Sequence, residues 1–159
     1  LSAFGSSVIV HDPYLDTAPE GCELVDLETL LARSDVMTVH APLTDGTRGL
    51  IGADQFAAMK RGAFVVNVSR GGIIDESALA DSIRSGHLAG AGLDTFGREP
   101  SGDAPLRELP TVIMSPHVAG LSHRTIADMT QKATRAVLNV LEGTLPEGAV
   151  NPEALHLKA

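Results

Sequence analysis

Short β-branched runs alternate with amphipathic stretches along most of the chain. Val8-Ile9-Val10-His11-Asp12 is an apolar run stopped by Pro13, which predicts a strand entering a turn. Leu1 to Phe4 followed by Gly5 reads as the last turn of a helix with its C-terminal glycine. Leu27, Leu30 and Leu31 recur at helical spacing behind Asp26, a capping residue type, and predict a helix over Leu27 to Arg33. Val36 to His40 predicts a second strand, Ala53 to Met59 a short helix, and Phe64 to Val68 a third strand. Asp75 can cap a helix from Glu76 to Ser85 that Gly86 ends. Leu88 to Leu93 is a strand of small residues, and Val112 to Met114 a short fifth strand. Ser122 can cap a long helix reaching about Glu142.

Near-continuously apolar strands, each followed by a helical segment, require helices on both faces of a parallel sheet. The fold class is therefore α/β, a doubly wound parallel sheet. Arg98 to Pro110 is rich in Pro and Gly and reads as a surface loop. Cys22 also falls in a loop, and the acids Glu20, Glu23, Asp26 and Glu28 read as a solvated face. Gly143 to Ala159 loses periodicity and reads as a segment leaving the domain. The domain organisation is one α/β part over 1–143 and a C-terminal segment over 144–159.

Composition narrows the functions. The chain has 159 residues, with 43% hydrophobic but only 3% aromatic positions and no Trp. A base-stacking protein would carry more rings. Twelve Lys and Arg face twenty Asp and Glu, a net charge of −8 that repels a phosphate backbone, so nucleic acid is excluded as the primary partner. A single cysteine makes neither an internal disulfide nor a zinc site, so no metal is expected and cytoplasm is the default compartment. No apolar run approaches the roughly 18 residues of a membrane span. The opening Leu1-Ser2-Ala3 has no initiator Met and no basic leader, and reads as the continuation of a longer chain.

Doubly wound sheets bind ligands beyond the carboxyl ends of their strands, and chemistry-bearing residues follow all five. Asp12 follows the first; there a carboxylate can accept hydrogen bonds from the adenosine ribose hydroxyls and repel a 2′-phosphate. It can equally be a turn-forming Asp before Pro13. His40 and Pro42 follow the second strand. The third leads into Asn67-Val68-Ser69-Arg70-Gly71-Gly72, where the guanidinium fork suits a carboxylate, or else pairs with Asp75. Asp94 and Glu99 follow the fourth, and His117 the fifth. His117 could be a structural hydrogen-bond hub or a general acid–base, and Glu99 could pair with its imidazole. His87 reads as a helix-end residue interacting with terminal carbonyls, while His11, His123 and His156 show no partner pattern. Gly90-Ala91-Gly92-Leu93-Asp94-Thr95 starts like a dinucleotide phosphate loop, but it ends in Thr and lies inside a strand, so it is not one.

Four strings in this order and spacing carry a resemblance. They are Val39-His40-Ala41-Pro42-Leu43-Thr44, Asn67 through Asp75, Gly92 through Pro100, and Ser115-Pro116-His117-Val118-Ala119-Gly120. The chain resembles the C-terminal part of the D-isomer-specific 2-hydroxyacid dehydrogenases, in the D-3-phosphoglycerate dehydrogenase and hydroxypyruvate reductase branch. The resemblance implies a Rossmann-like sheet that lacks its first strand and Gly-rich loop, with NAD as cofactor. It implies that Arg70 holds the substrate carboxylate and carbonyl, that Glu99 orients and tunes the catalytic histidine, and that His117 donates and accepts the proton. It places Asp12, Ala41, Pro42, Val68, Ser69, Arg70, Asp94, His117 and Gly120 along the cofactor. It also implies a homodimer, a 2-hydroxy or 2-keto acid substrate, and a 144–159 segment returning toward a substrate domain. The isolated 159 residues are expected to bind NAD weakly and to lack turnover. Alternatives that the same strings allow are an NAD-sensing corepressor, a formate or phosphonate dehydrogenase, and an inactive fragment. One departure is Thr95, where many relatives have Val.

Overall fold

The computed structural model describes residues 2–99 and 105–155. Residues 100–104 of the expected loop, with Pro100, and the tail from His156 onward lie outside the described residues. The element order is β1 (Val8–Val10), β2 (Cys22–Leu24), α1 (Leu27–Arg33), β3 (Val36–Val39), α2 (Ala53–Ala58), β4 (Phe64–Asn67), α3 (Glu76–Arg84), β5 (Gly90–Leu93), β6 (Val112–Met114) and α4 (His123–Leu141). Short 3-10 turns occupy Ser2–Phe4 and Pro152–Leu155. The alternation of apolar runs and capped amphipathic stretches is thus an α/β fold, and every strand pairing is parallel.

The parallel order is interrupted once. β1 pairs only with β2, and β3-β4-β5-β6 form a separate four-stranded sheet. One strand was not expected from the sequence. Cys22 lies in β2, not in a loop, and the register pairs Val8 with Cys22 and Val10 with Leu24. Cys-Glu-Leu is too short and too mixed to announce itself as a strand; its neighbour β1 and the Glu23–Arg33 ion pair, 2.6 Å long and bidentate, hold it.

The helix starts follow the expected caps. Asp26 accepts from the Thr29 N–H, Asp75 from the Ser77 and Ala78 N–H groups, and Ser122 from the Thr125 N–H. Each satisfies backbone donors that the first helical turn leaves unpaired. His87 does meet terminal carbonyls, but those of another helix end: Nε2 lies 2.9 Å from Phe56 O and 3.1 Å from Met59 O, clipping the end of α2 to the segment after α3.

The chain forms two compact units, Leu1–Ala119 and Gly120–Ala159. In the first, Met37, Val39, Val65, Ala91 and Leu93 point to one sheet face and share a core with Leu31, Phe56, Leu79 and Ile83 of the helices. The opposite positions Val36, Phe64 and Ile113 are exposed. The second unit is built on α4, whose Ile126, Met129, Val137 and Leu141 are exposed. No helix among the described residues is long and apolar enough to cross a membrane.

Candidate active site

Parallel pairing puts the carboxyl ends of β3, β4, β5 and β6 side by side, and the loops that leave those ends are tied together by polar contacts. Between β3 and β4, the Ser69 hydroxyl donates to Ala41 O. Between β4 and β5, the Asp94 N–H donates to Asn67 O at 2.9 Å, continuing the ladder one residue past the strands. Between β5 and β6, the Asp94 carboxylate takes three donors: the Ser115 hydroxyl at 2.6 Å, the Val118 N–H at 2.9 Å and the Ala119 N–H at 2.8 Å. Burial pushes the Asp94 carboxyl up. The bonds from Ser115, Ala119 and Val118 and the nearby His117 outweigh that, and hold it below the ordinary carboxylate value.

This clamp shapes the loop that carries His117. His117 has φ +56°, the one non-glycine residue in the left-handed region among those described. Such a backbone costs about 1–3 kcal/mol and persists where its surroundings over-determine it. Here the two residues after it are both held by Asp94. The imidazole then meets Glu99, with Nδ1 3.0 Å from Oε2. The Glu99 carboxyl is held below its ordinary value by His117 first and by the Phe96 N–H second. That N–H donates to Oε1 at 3.1 Å. An ionised carboxylate only accepts, so Nδ1 carries a proton and Nε2 is the atom left for other chemistry.

Arg70 belongs to the neighbouring loop. Its guanidinium is exposed and donates from Nη1 to Ser69 O at 2.7 Å, with no bond to Asp75, which is occupied as a helix cap. Gly71 brings this loop flat against the next: a Cβ there would lie 1.8 Å from Phe96 O. The Arg70 loop therefore touches the same backbone that supports Glu99. Val68 is partly exposed beside it.

Asp12 follows β1, in the separate two-stranded sheet. Its Oδ1 accepts the Tyr14 N–H at 2.9 Å, an Asx turn, and its Oδ2 has no hydrogen-bond partner among the described residues. The turn-forming and ligand-holding readings are thus compatible. A carboxylate oxygen without such a bond is the kind of acceptor a ribose diol requires. Among the described residues no G-x-G-x-x-G string joins a strand to a helix, the arrangement that cradles a dinucleotide diphosphate. Gly90 and Gly92 stand in β5, as their context indicated; a Cβ on Gly90 would strike Thr111 O at 2.3 Å, so the former serves close packing. Pro42 accepts the Thr47 hydroxyl on its carbonyl. Gly120 begins the second unit and is exposed.

Sequence reading named Asn67 only as a polar strand-end residue and Glu76 only as a helix start, and missed both as supports of this site. Asn67 is 1% exposed, a polar residue in register with Val39 and Leu93. Glu76, at the start of α3, accepts the Gly97 N–H at 2.6 Å and pins the Glu99 loop from the other side. An amide at the last inward position of an apolar strand was the available signal for Asn67; nothing local marked Glu76.

Comparison with known proteins agrees with this geometry. The family model described as D-isomer specific 2-hydroxyacid dehydrogenase, NAD binding domain, matches residues 1–119. The chain belongs to this family. Among curated relatives, it is 42% identical over 154 residues to D-3-phosphoglycerate dehydrogenase of Mycobacterium leprae, covering 95% of this chain and 29% of that protein. It is 43% identical over 131 residues to glyoxylate/hydroxypyruvate reductase B of Pectobacterium carotovorum, covering 82% of this chain and 41% of the relative. Among solved structures, the NAD-complexed D-isomer specific 2-hydroxyacid dehydrogenase of Lactobacillus delbrueckii ssp. bulgaricus superposes with a TM-score of 0.83 at 31% identity, over 94% of this chain and 50% of that one. The chain thus spans half or less of each of these three proteins. Its α/β fold is the Rossmann-like, NAD-binding domain of the family.

Proposed function

We propose that the protein to which these residues belong is an NAD-dependent oxidoreductase acting on the CH–OH group of a D-2-hydroxy acid. The observation that carries this is the Glu99–His117 pair, held at a parallel strand end beside the Arg70 loop. Bound NADH supplies a hydride for the carbonyl carbon of a 2-keto acid. Arg70 holds the substrate carboxylate with its guanidinium fork and stabilises charge developing on the carbonyl oxygen. His117 delivers a proton from Nε2 to that oxygen as it becomes a hydroxyl. Glu99 accepts from Nδ1 and keeps the ring oriented through the transfer. In the oxidising direction His117 takes the hydroxyl proton back.

Asp12 and the backbone and side chains of Ala41, Pro42, Val68, Ser69, Asp94 and Gly120 line the cofactor in this reading. The names of the relatives point to 3-phosphoglycerate and hydroxypyruvate as the first substrates to try. Residues 1–143 are the nucleotide-binding part and 144–159 lead toward a substrate domain. The protein works as a homodimer in the cytoplasm. The test is NADH oxidation by the full product of the gene, offered 3-phosphohydroxypyruvate, hydroxypyruvate, glyoxylate and pyruvate in turn. Formation of the D-hydroxy acid is expected; the absence of turnover on every 2-keto acid tried would overturn the reading.

A further inference from the structure

Asn67 ends β4 on its inward face, where Val65 precedes it and Val39 and Leu93 flank it in register. An amide buried among such neighbours is costly unless its hydrogen bonds are made, and both ends of this one are spent on the Arg70 loop. Its Oδ1 accepts the Ser69 N–H at 3.0 Å, and its Nδ2 donates to Arg70 O at 2.9 Å. The carbonyl of Arg70 is thereby fixed from inside the core. The loop is also held from either side, by the Ser69 hydroxyl on Ala41 O and by Gly71 against Phe96 O. The guanidinium, in contrast, is exposed and holds only the Ser69 carbonyl of its own loop. Backbone rigidity and side-chain freedom meet at one residue.

We propose that Asn67 is the positioning residue for Arg70, fixing the backbone from which the guanidinium reaches the substrate carboxylate. The chemistry demands this residue type. An Asp would keep the bond to the Ser69 N–H but turn a second acceptor on the Arg70 carbonyl and bury a charge. An apolar residue would orphan both loop groups. The proposal rests on Arg70 as the carboxylate anchor, and its test separates the two.

The experiment is a double-mutant cycle in the full product of the gene: unsubstituted, Asn67→Asp, Arg70→Ala, and both together. Asn67→Asp alone is expected to lower kcat/KM for the 2-keto acid about 10- to 100-fold, as misplacement of a binding group does. The loss should fall mainly on KM for the keto acid, with KM for NADH unchanged. On the Arg70→Ala background the same change should cost less than about twofold, because Asn67 has nothing left to position. A purely structural role would cost as much on either background, and that result, or full activity of Asn67→Asp, overturns the proposal. Affinity for oxalate, an unreactive dicarboxylate, measured by calorimetry on the same four proteins, should follow the same pattern. It decides the question for Asn67 even if the unsubstituted protein reduces no 2-keto acid, the outcome that would sink the dehydrogenase reading instead. Asn67→Ser, which loses the Nδ2 donor without adding charge, replaces Asn67→Asp if that variant does not fold; failure of both to fold would show that Asn67 serves the fold and not Arg70.

Discussion

Glu99 and His117 stand 3.0 Å apart, Oε2 to Nδ1, although eighteen residues and the strand β6 separate them in the chain. The pair exists because two loops are held independently: the Glu99 carboxylate by the Phe96 N–H, and the His117 backbone by Asp94. Glu99→Gln keeps the shape and removes the charge. It should lower kcat by a large part of the roughly 10²–10⁴-fold that a positioned proton donor supplies. The full gene product, assayed for NADH-dependent reduction, checks this; an unchanged kcat would mean that Glu99 is ornamental to the imidazole.

Asp94 links stability to pH. Its folded carboxyl lies below the ordinary value, so its stabilisation is complete above the ordinary carboxylate range and is lost as pH falls through the folded value. Asp94→Asn removes that dependence. The Tm gap between the two proteins should be widest near neutral pH and should shrink toward about pH 3. A gap that stays constant, or widens in acid, would mean that Asp94 is not an ionised acceptor.

The two glycine neighbourhoods make opposite forecasts. At Gly71 a methyl group would overlap Phe96 O at 1.8 Å, and the atoms it meets are all backbone of Phe96 and Gly97, which leaves little room to yield. Gly71→Ala should lower stability by about 1–3 kcal/mol or more. At Gly92 the nearest atom to an added Cβ is a Val66 methyl at 3.9 Å, an ordinary contact. Gly92→Ala should be neutral or gain up to about 1 kcal/mol by restricting the unfolded chain. Chemical denaturation of both variants checks the contrast.

Thr95 carries the one buried side-chain polar atom without a hydrogen bond among the described residues, its Oγ1. An orphaned buried group costs about 1–3 kcal/mol. Thr95→Val keeps the shape and removes the hydroxyl, so it should raise the midpoint of urea unfolding. A lower midpoint would show that the hydroxyl has a partner after all.

Much of this was legible in the sequence, and the reasons differ by element. The strands β3 and β4 are dense apolar runs, and α1, α3 and α4 carry Asp26, Asp75 and Ser122 at their starts, so period and cap agreed. β2 was not legible, because three residues with an outward Glu make no periodic signal and only pairing with β1 defines them. Of the proposed site, Arg70, Glu99 and His117 were singled out by residue type and strand-end placement, with their roles implied by the family resemblance, and the structure joins Glu99 and His117 directly. The supports were hidden for a physical reason. Asn67, Asp94 and Glu76 act on backbone groups of residues that the fold brings near, and no local pattern announces a side chain that caps someone else's loop. Asp94 was named at its strand end, but its grip on the His117 loop through Ser115, Val118 and Ala119 was not visible in the sequence. The left-handed backbone of His117 was likewise invisible before the structure, since nothing in Ser115-Pro116-His117 demands it.

The central claim is that His117, set by Glu99, moves the proton in a hydride-transfer reaction. Its most direct test is the NADH-dependent reduction of hydroxypyruvate by the full gene product, compared with His117→Asn at equal cofactor affinity. The account expects the unsubstituted protein to turn over and the variant to retain NADH binding while losing about 10²-fold or more in kcat. A His117→Asn protein that reduces hydroxypyruvate at the unsubstituted rate would contradict it.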